Sequence, residues 1–351
     1  MEKRRRERYP MSEIASGKRE MVDVAIVGAG PMGLVTALMC ARAGLKVAIY
    51  ERQGDFSASP AWNGTGVLAP DCEADVADAT IVDLGRRSLD LWPTLIPGFT
   101  LNGALVLGNR RQPTALDDYS SFVLNYEWAD EERIAALEPS LAGIYNRGMY
   151  FPQAAHADPR VLFTGLKEVL EAAGIRIRFD WIGTIDGLQA ERIVDTRGLG
   201  ARDRFPELRA VTAEMAQVRS HKIELNRPIR LLHNRHALYV TPRGQGIYVI
   251  GATTVDDDRS GVSVRSAGEL MTHAVSLLPA FADAEVVELR SGLMPVLMNG
   301  VPKVVVGDRI IAVNGLYRYG WMVAPAIAED LLRVIYTQAT KVIHASRPMR
   351  H

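Results

Sequence analysis

Cysteine is nearly absent from this chain: Cys40 and Cys72 are the only two. That excludes a disulfide framework and a four-thiolate metal site. Charge of one sign is missing too, because 41 Lys and Arg balance 41 Asp and Glu, a formal net charge of zero. A balanced chain has no general attraction to nucleic acid or to an anionic membrane surface, so neither partner is expected. No uninterrupted run of about 20 apolar residues occurs, so nothing is built to span a bilayer. The nearest approach, 22–40, is broken by Asp23 and by Gly28, Gly30 and Gly33. Internal repeats and low-complexity tracts are also lacking. What remains is ordinary globular usage, 48 % apolar and 23 % charged over 351 residues, enough for two domains or one composite. The expectation is a reduced, cytoplasmic protein of enzyme size.

The first twenty residues stand apart. Lys3, Arg4, Arg5, Arg6, Arg8, Lys18 and Arg19 alternate with Glu2, Glu7, Glu13 and Glu20, and little apolar surface is available to bury. A secretory signal would continue into an apolar stretch, and a transit peptide would be poor in acids. Residues 1–20 are therefore expected to be a disordered leader, and 341–351 a tail.

The strongest signal lies in 22–51. Val22-Asp23-Val24-Ala25-Ile26-Val27 reads as a buried parallel strand. Gly28-Ala29-Gly30-Pro31-Met32-Gly33 follows, then an apolar helix to Arg42, a stop at Gly44, and a second strand, 45–50, closed by Glu51. This is a right-handed strand–helix–strand unit. Gly28 permits the tight turn, Gly30 lets backbone approach a pyrophosphate, and Gly33 lets the helix pack against the sheet. The helix N-terminus then faces the phosphates. Glu51 stands where an acid accepts hydrogen bonds from a ribose hydroxyl, which disfavours a cofactor with a 2′-phosphate. The fingerprint alone does not separate NAD from FAD. Its position near the N-terminus, with strands returning much later, suits FAD and two interleaved domains.

Further along, helices are expected at 80–95, 130–138, 159–173, 264–278 and 323–336. Strands are expected at 99–107, 122–126, 175–179, 192–196, 236–241, 246–251 and 309–313. The fold class is α/β with an α+β composite character. A Rossmann-like nucleotide-binding domain would be assembled from 21–75, 140–208 and 295–340. An antiparallel-sheet substrate domain would be interleaved from 76–139 and 209–294. Helix 323–336 would aim its N-terminal dipole at something anionic.

Four segments together resemble the glycine oxidase branch of the D-amino acid oxidase superfamily of FAD-dependent oxidoreductases, of the thiamine-biosynthesis type. They are 24–51; Trp62-Asn63-Gly64-Thr65-Gly66-Val67-Leu68-Ala69-Pro70; 238–253 with Pro242-Arg243 and Gly251-Ala252-Thr253; and 313–325 with Gly315-Leu316-Tyr317-Arg318-Tyr319-Gly320 and Ala324-Pro325. Weaker similarity fills the chain between them, from about 21 to 335. The resemblance implies FAD as cofactor and the fold of the glutathione-reductase/D-amino acid oxidase type. It places Gly66, Val67 and Leu68 along the flavin near its reactive N5, and Tyr319, Gly320 and Trp321 near the flavin pyrimidine. Pro31, Met32, Arg52, Gly315 and Tyr317 join the implied cofactor contacts. Tyr239 falls where the family has an active-site tyrosine, and Arg318 matches a basic residue of the tail loop. Where the family has a carboxylate-clamping arginine, Ser291-Gly292-Leu293-Met294-Pro295 puts Met294, which cannot make a bidentate cationic contact. Either Arg318 or Arg290 takes over, or the substrate is an amine or a masked acid.

The implied reaction is hydride transfer from a neutral amine to the flavin, giving an imine and, with molecular oxygen, hydrogen peroxide. No catalytic base is required; rate would come from orientation and electrostatics. Alternatives are a dehydrogenase or biosynthetic oxidase that uses another acceptor, and a non-catalytic FAD subunit of a heteromeric complex. Homo-oligomer formation is also expected. No metal site is expected: His233 and His236 lack further ligand types at metal spacing. His156 and Asp158 read as the turn that opens the helix at Pro159, with Asp158 as cap. Cys72 reads as a small buried thiol.

Overall fold

A computed structural model describes residues 21–96, 99, 101–108, 114–233, 238–337 and 343–344. The leader 1–20, His236 and all of the tail 341–351 except 343–344 lie outside the described residues.

The opening unit forms as its sequence dictates. Strand Val22–Val27 buries Val24, Ala25 and Ile26 completely, and helix Pro31–Arg42 follows the glycine turn. Strand Val47–Tyr50 pairs parallel with the first strand on one side, and Ala190–Asp195 pairs parallel with it on the other. Ile310–Asn314 adds to Ala190–Asp195, again parallel. The complete sheet has seven strands, with Ile177–Arg178 at one edge and Lys303–Val306 and Ile343–His344 at the other. In register, Val27 lies opposite both Tyr50 and Asp195, and Asp195 opposite Ala312, so the carboxyl ends of the parallel strands finish side by side. Ligands of open α/β sheets bind beyond such ends.

The second sheet has eight strands. Glu285–Val296, Arg209–Arg219, Ile247–Val255 and Tyr239–Gly244 form its antiparallel half. Ile229–Leu231, Ala104–Leu107, Arg147–Phe151 and Glu127–Asp130 complete it. Pairing is antiparallel except between Ile229–Leu231 and Ala104–Leu107. Helix Val264–Leu277 covers one face with Leu270, Ala274 and Leu277. Arg147–Phe151 thus sits in this sheet although it lies within 140–208, a stretch expected in the nucleotide unit.

Helix Ala79–Leu95 also departs from the expected division, which put 76–139 with the substrate domain. Its Ile81, Leu84, Leu89, Trp92 and Leu95 share the core of the seven-stranded sheet and pack on helix Gly320–Thr337. Pro325 explains part of the attachment. A proline inside a helix leaves the carbonyl four residues earlier without its usual donor. That carbonyl, on Trp321, accepts from the Trp92 indole N–H at 3.2 Å. Arg87 adds contacts to Asp330 at 3.0 Å and Glu329 at 2.7 Å.

Several strands are shorter or displaced relative to expectation: that over 175–179 is only Ile177–Arg178. The strand expected over 99–107 is confined to Ala104–Leu107, because Gly103 turns at φ +78° against the Tyr150 ring. No strand forms over 122–126, where Asn125 adopts φ +58°; the strand is Glu127–Asp130. The final helix begins at Gly320 rather than 323.

Candidate active site

Two of the three glycines of the first turn, Gly28 and Gly33, have a measurable steric reason. A side chain on Gly28, at φ +107°, would put Cβ 2.6 Å from the Thr196 carbonyl oxygen. On Gly33, Cβ would stand 1.8 Å from the Gly28 carbonyl oxygen. Gly30 differs: no atom lies within 4 Å of its virtual Cβ. The chain has kept that space clear on the cavity side, as a closely approaching pyrophosphate requires. Gly30 also caps helix Pro31–Arg42 without a side-chain bond, leaving first-turn N–H groups for an anion. Glu51 Oε2 accepts from the Ala29 N–H and Oε1 from the Gln53 N–H, both at 2.8 Å. A carboxylate has about four acceptor sites, so capacity remains for ribose hydroxyls.

From this cradle a cavity of about 1200 Å³ runs past Gly64, Thr65, Gly66 and Val67 to Tyr239, Met294 and Tyr317. It exceeds the volume of a drug-sized pocket, as a dinucleotide plus substrate demands. Pro31, Met32, Arg52, Tyr319, Gly320 and Trp321 line it too. Three expected cofactor residues do not. Leu68 is wholly buried in the core, because successive residues of strand Val67–Leu68 face opposite ways and Val67 takes the cavity side. Gly315, at φ +79°, is pressed against Leu297, its virtual Cβ 2.6 Å from Cδ1. Gly33 serves helix packing, the role its spacing implies.

The far end carries a charged cluster in a dry setting. Tyr239, 4 % exposed, donates its hydroxyl to Glu73 Oε1 at 2.7 Å. Arg318 reaches Glu73 Oε2 at 2.5 Å and lies over the Tyr319 ring. Behind them Arg230, also buried, pairs with Asp75 at 2.7 Å and bonds the Cys72 carbonyl. Burial and the Glu73 charge push the Tyr239 phenol well above its ordinary range, so it stays protonated. Burial opposes the Arg318 charge, but Glu73 and Tyr319 more than offset it and hold the guanidinium above its usual value. The Arg318 Nε–H is buried without a partner among the described residues. Met294 sits in an apolar patch with Val211, Ala213 and Val296, against which Ala252 and Tyr317 pack. The other guanidinium lining this end, Arg290, is bonded to Glu288 and largely exposed.

Glu73 was not among the expected site residues, although it touches two of them. The thiol beside it, Cys72, is fully buried and driven well above its usual pKa by desolvation, hence inert. His156 belongs to strand Ala155–His156, paired with Val67–Leu68, and its Nδ1 meets Asn102 Oδ1 at 3.2 Å. Asp158 caps helix Pro159–Ala172 through the Arg160 N–H at 2.8 Å. No group of three or more potential metal ligands occurs among the described residues.

A parallel sheet with a glycine-turn cradle, an acid at the second strand end and a cavity leading to buried phenol and guanidinium groups define a dinucleotide-dependent oxidoreductase. Comparison with known proteins makes this specific: the model of the D-amino acid oxidase family, FAD-dependent oxidoreductases, matches residues 23–333, and the chain belongs to that family. It is 38 % identical over 317 residues to the putative thiamine biosynthesis oxidoreductase ThiO of Rhizobium etli, covering 90 % of this chain and 97 % of that one. It is 24 % identical to the glycine oxidase of Bacillus licheniformis, over 92 % of this chain and 95 % of that one. The fold is shared with the glycine oxidase of Geobacillus kaustophilus, at TM-score 0.77 and 23 % identity over 92 % of this chain and 96 % of that one. The chain is therefore an FAD-dependent oxidoreductase, and its relatives include a ThiO and glycine oxidases.

Proposed function

We propose that the chain oxidises a small amino acid at the end of the cavity where Tyr239, Glu73, Arg318 and Met294 meet, and that molecular oxygen then takes the electrons. The observation that carries this reading is the continuity of one cavity from the Gly28–Gly30 cradle to the Tyr239–Glu73–Arg318 cluster. When bound, FAD supplies a two-electron acceptor for hydride. The protein supplies placement. Because the Tyr239 O–H is committed to Glu73, its oxygen faces the cavity as an acceptor, suited to a substrate N–H. Arg318, whose side chain lines the cavity and is 26 % exposed, offers its positive charge to a carboxylate, while Glu73 holds its Nη2. The apolar floor around Met294 excludes water from the carbon that loses hydride.

A second reading keeps the site and changes the substrate to an amine without a carboxylate. Met294 and its apolar neighbours favour it. Kinship with the Rhizobium etli protein supports a role in thiamine biosynthesis, supplying an imine. We place the enzyme in the cytoplasm as a homo-oligomer; no helix among the described residues is long and apolar enough to cross a membrane. The test is anaerobic bleaching of the bound flavin by glycine, sarcosine, their esters and uncharged amines. Bleaching by the acids, followed by stoichiometric peroxide on admitting air, is expected. Bleaching by esters and amines alone establishes the second reading, and none by any compound refutes both.

A further inference from the structure

One buried cation takes no part in the site as described. Arg243 lies on strand Tyr239–Gly244, its side chain 5 % exposed, on the side of the 64–66 segment away from the main cavity. There it borders a separate void of about 20 Å³. Its Nη2 donates to the Gly64 carbonyl at 2.9 Å and the Thr65 carbonyl at 2.6 Å, and its Nη1 to the Ala157 carbonyl at 2.8 Å. The Ala157 N–H in turn donates to the Gly66 carbonyl at 3.0 Å. Space for any looser arrangement is closed: a Cβ on Gly66, at φ +68°, would lie 1.9 Å from the Ala157 carbonyl oxygen.

The consequence follows from peptide geometry. In a planar trans peptide the C=O and the N–H it is bonded to point to opposite sides. With the Gly64 and Thr65 carbonyls both drawn onto Arg243, the Thr65 and Gly66 N–H groups must leave on the cavity side. Neither donates to another backbone carbonyl among the described residues. We propose that Arg243 is a positioning residue that locks these two N–H donors toward the flavin N5 edge, where they would favour the oxidised flavin, whose N5 accepts a hydrogen bond that the reduced N5–H cannot. Burial lowers the Arg243 pKa to about 10, with Asp158 partly offsetting it, so the group remains charged at neutral pH. Lysine cannot replace it, because a single ammonium does not present the planar fork that spans these carbonyls. The proposal rests on the flavin lying against 64–67, as the family resemblance implies.

The test is Arg243→Lys, purified with FAD and compared with wild type for FAD dissociation constant and two-electron midpoint potential. A roughly tenfold loss of preference for oxidised over reduced FAD is expected, about 30 mV more positive for a two-electron couple. An unchanged potential overturns the proposal, whatever the affinity. Should the variant fail to fold, amide hydrogen exchange on the wild-type chain decides. FAD loading is expected to slow exchange at Thr65 and Gly66 as well as in 28–33. Slowing in 28–33 alone overturns the role of Arg243; slowing in neither overturns the FAD site and the proposal together.

Discussion

At the scale of single residues, Tyr239, Glu73 and Arg318 form the unit whose substitution is most informative. On the proposed reading, Tyr239→Phe removes the acceptor that would meet the substrate; it also deprives the buried Glu73 carboxylate of a donor. A hydrogen bond to a charged group is worth roughly 1.5–3 kcal/mol, so kcat/KM should fall about ten- to hundredfold while FAD content stays at the wild-type level. Steady-state kinetics showing less than a twofold change would remove Tyr239 from the site. His156 gives a second residue-scale expectation. Burial first, then Arg243 and Arg227, lower its pKa to about 4 from an ordinary 6.5. The folded state therefore binds this proton less readily than the unfolded chain. Stability is intact above pH 6.5 and declines as pH falls from 6.5 to 4, by up to about 3 kcal/mol. Urea midpoints across that window should show a shallower decline in His156→Gln; parallel slopes would refute the assignment. Tyr239 and Arg318, both of which line the cavity, were pointed to by the family resemblance. Glu73 was not: within Asp71-Cys72-Glu73-Ala74-Asp75 it has the local pattern of a solvated acidic turn, and only its burial at 6 % exposure reveals its partners. Leu68 and Gly315 do not line the cavity, since adjacency to cavity residues does not say which way a residue faces.

At the scale of elements, the glycine turn and its helix carry the heaviest constraint. Gly33→Ala would place a methyl group 1.8 Å from backbone, a contact that no rotamer relieves. The helix Pro31–Arg42 would have to move off the sheet, taking the Gly30 N–H region with it. FAD content on purification should drop to near zero with a chain that is less stable in urea; a yellow Gly33→Ala protein with wild-type stability would contradict this. Elements of this kind were readable because one sequence pattern fixed strand, turn, helix and second strand together. Helix Ala79–Leu95 was readable as a helix but not as a partner of Gly320–Thr337. Its Trp92 finds a carbonyl freed by Pro325, more than two hundred residues later, and no local pattern announces that bond. Strand 122–126 misled because its apolar run ignores backbone geometry, which Asn125 breaks with a left-handed turn.

At the scale of the whole molecule, the cavity lies between the ends of the parallel strands and the eight-stranded sheet, so both units supply its walls. Glycine-turn residues come from one, and Tyr239, Met215 and Met294 from the other. Few direct contacts can cross a gap of about 1200 Å³, and a ligand that fills it replaces missing packing on both sides. FAD should therefore be a structural component as well as an electron acceptor. A ligand that binds only the folded chain stabilises it by about 4 kcal/mol at a free concentration a thousand times Kd. Stripping FAD should lower the urea midpoint, and adding it back should restore the midpoint with a logarithmic dependence on concentration. Local binding to the glycine turn alone would predict protection confined to the seven-stranded sheet. Filling of the shared cavity instead predicts slower amide exchange in Arg209–Arg219 and Ile247–Val255 of the other sheet as well. Exchange in those two strands that is indifferent to FAD, in a protein whose glycine turn is protected, would show that the two units are not coupled through the cofactor.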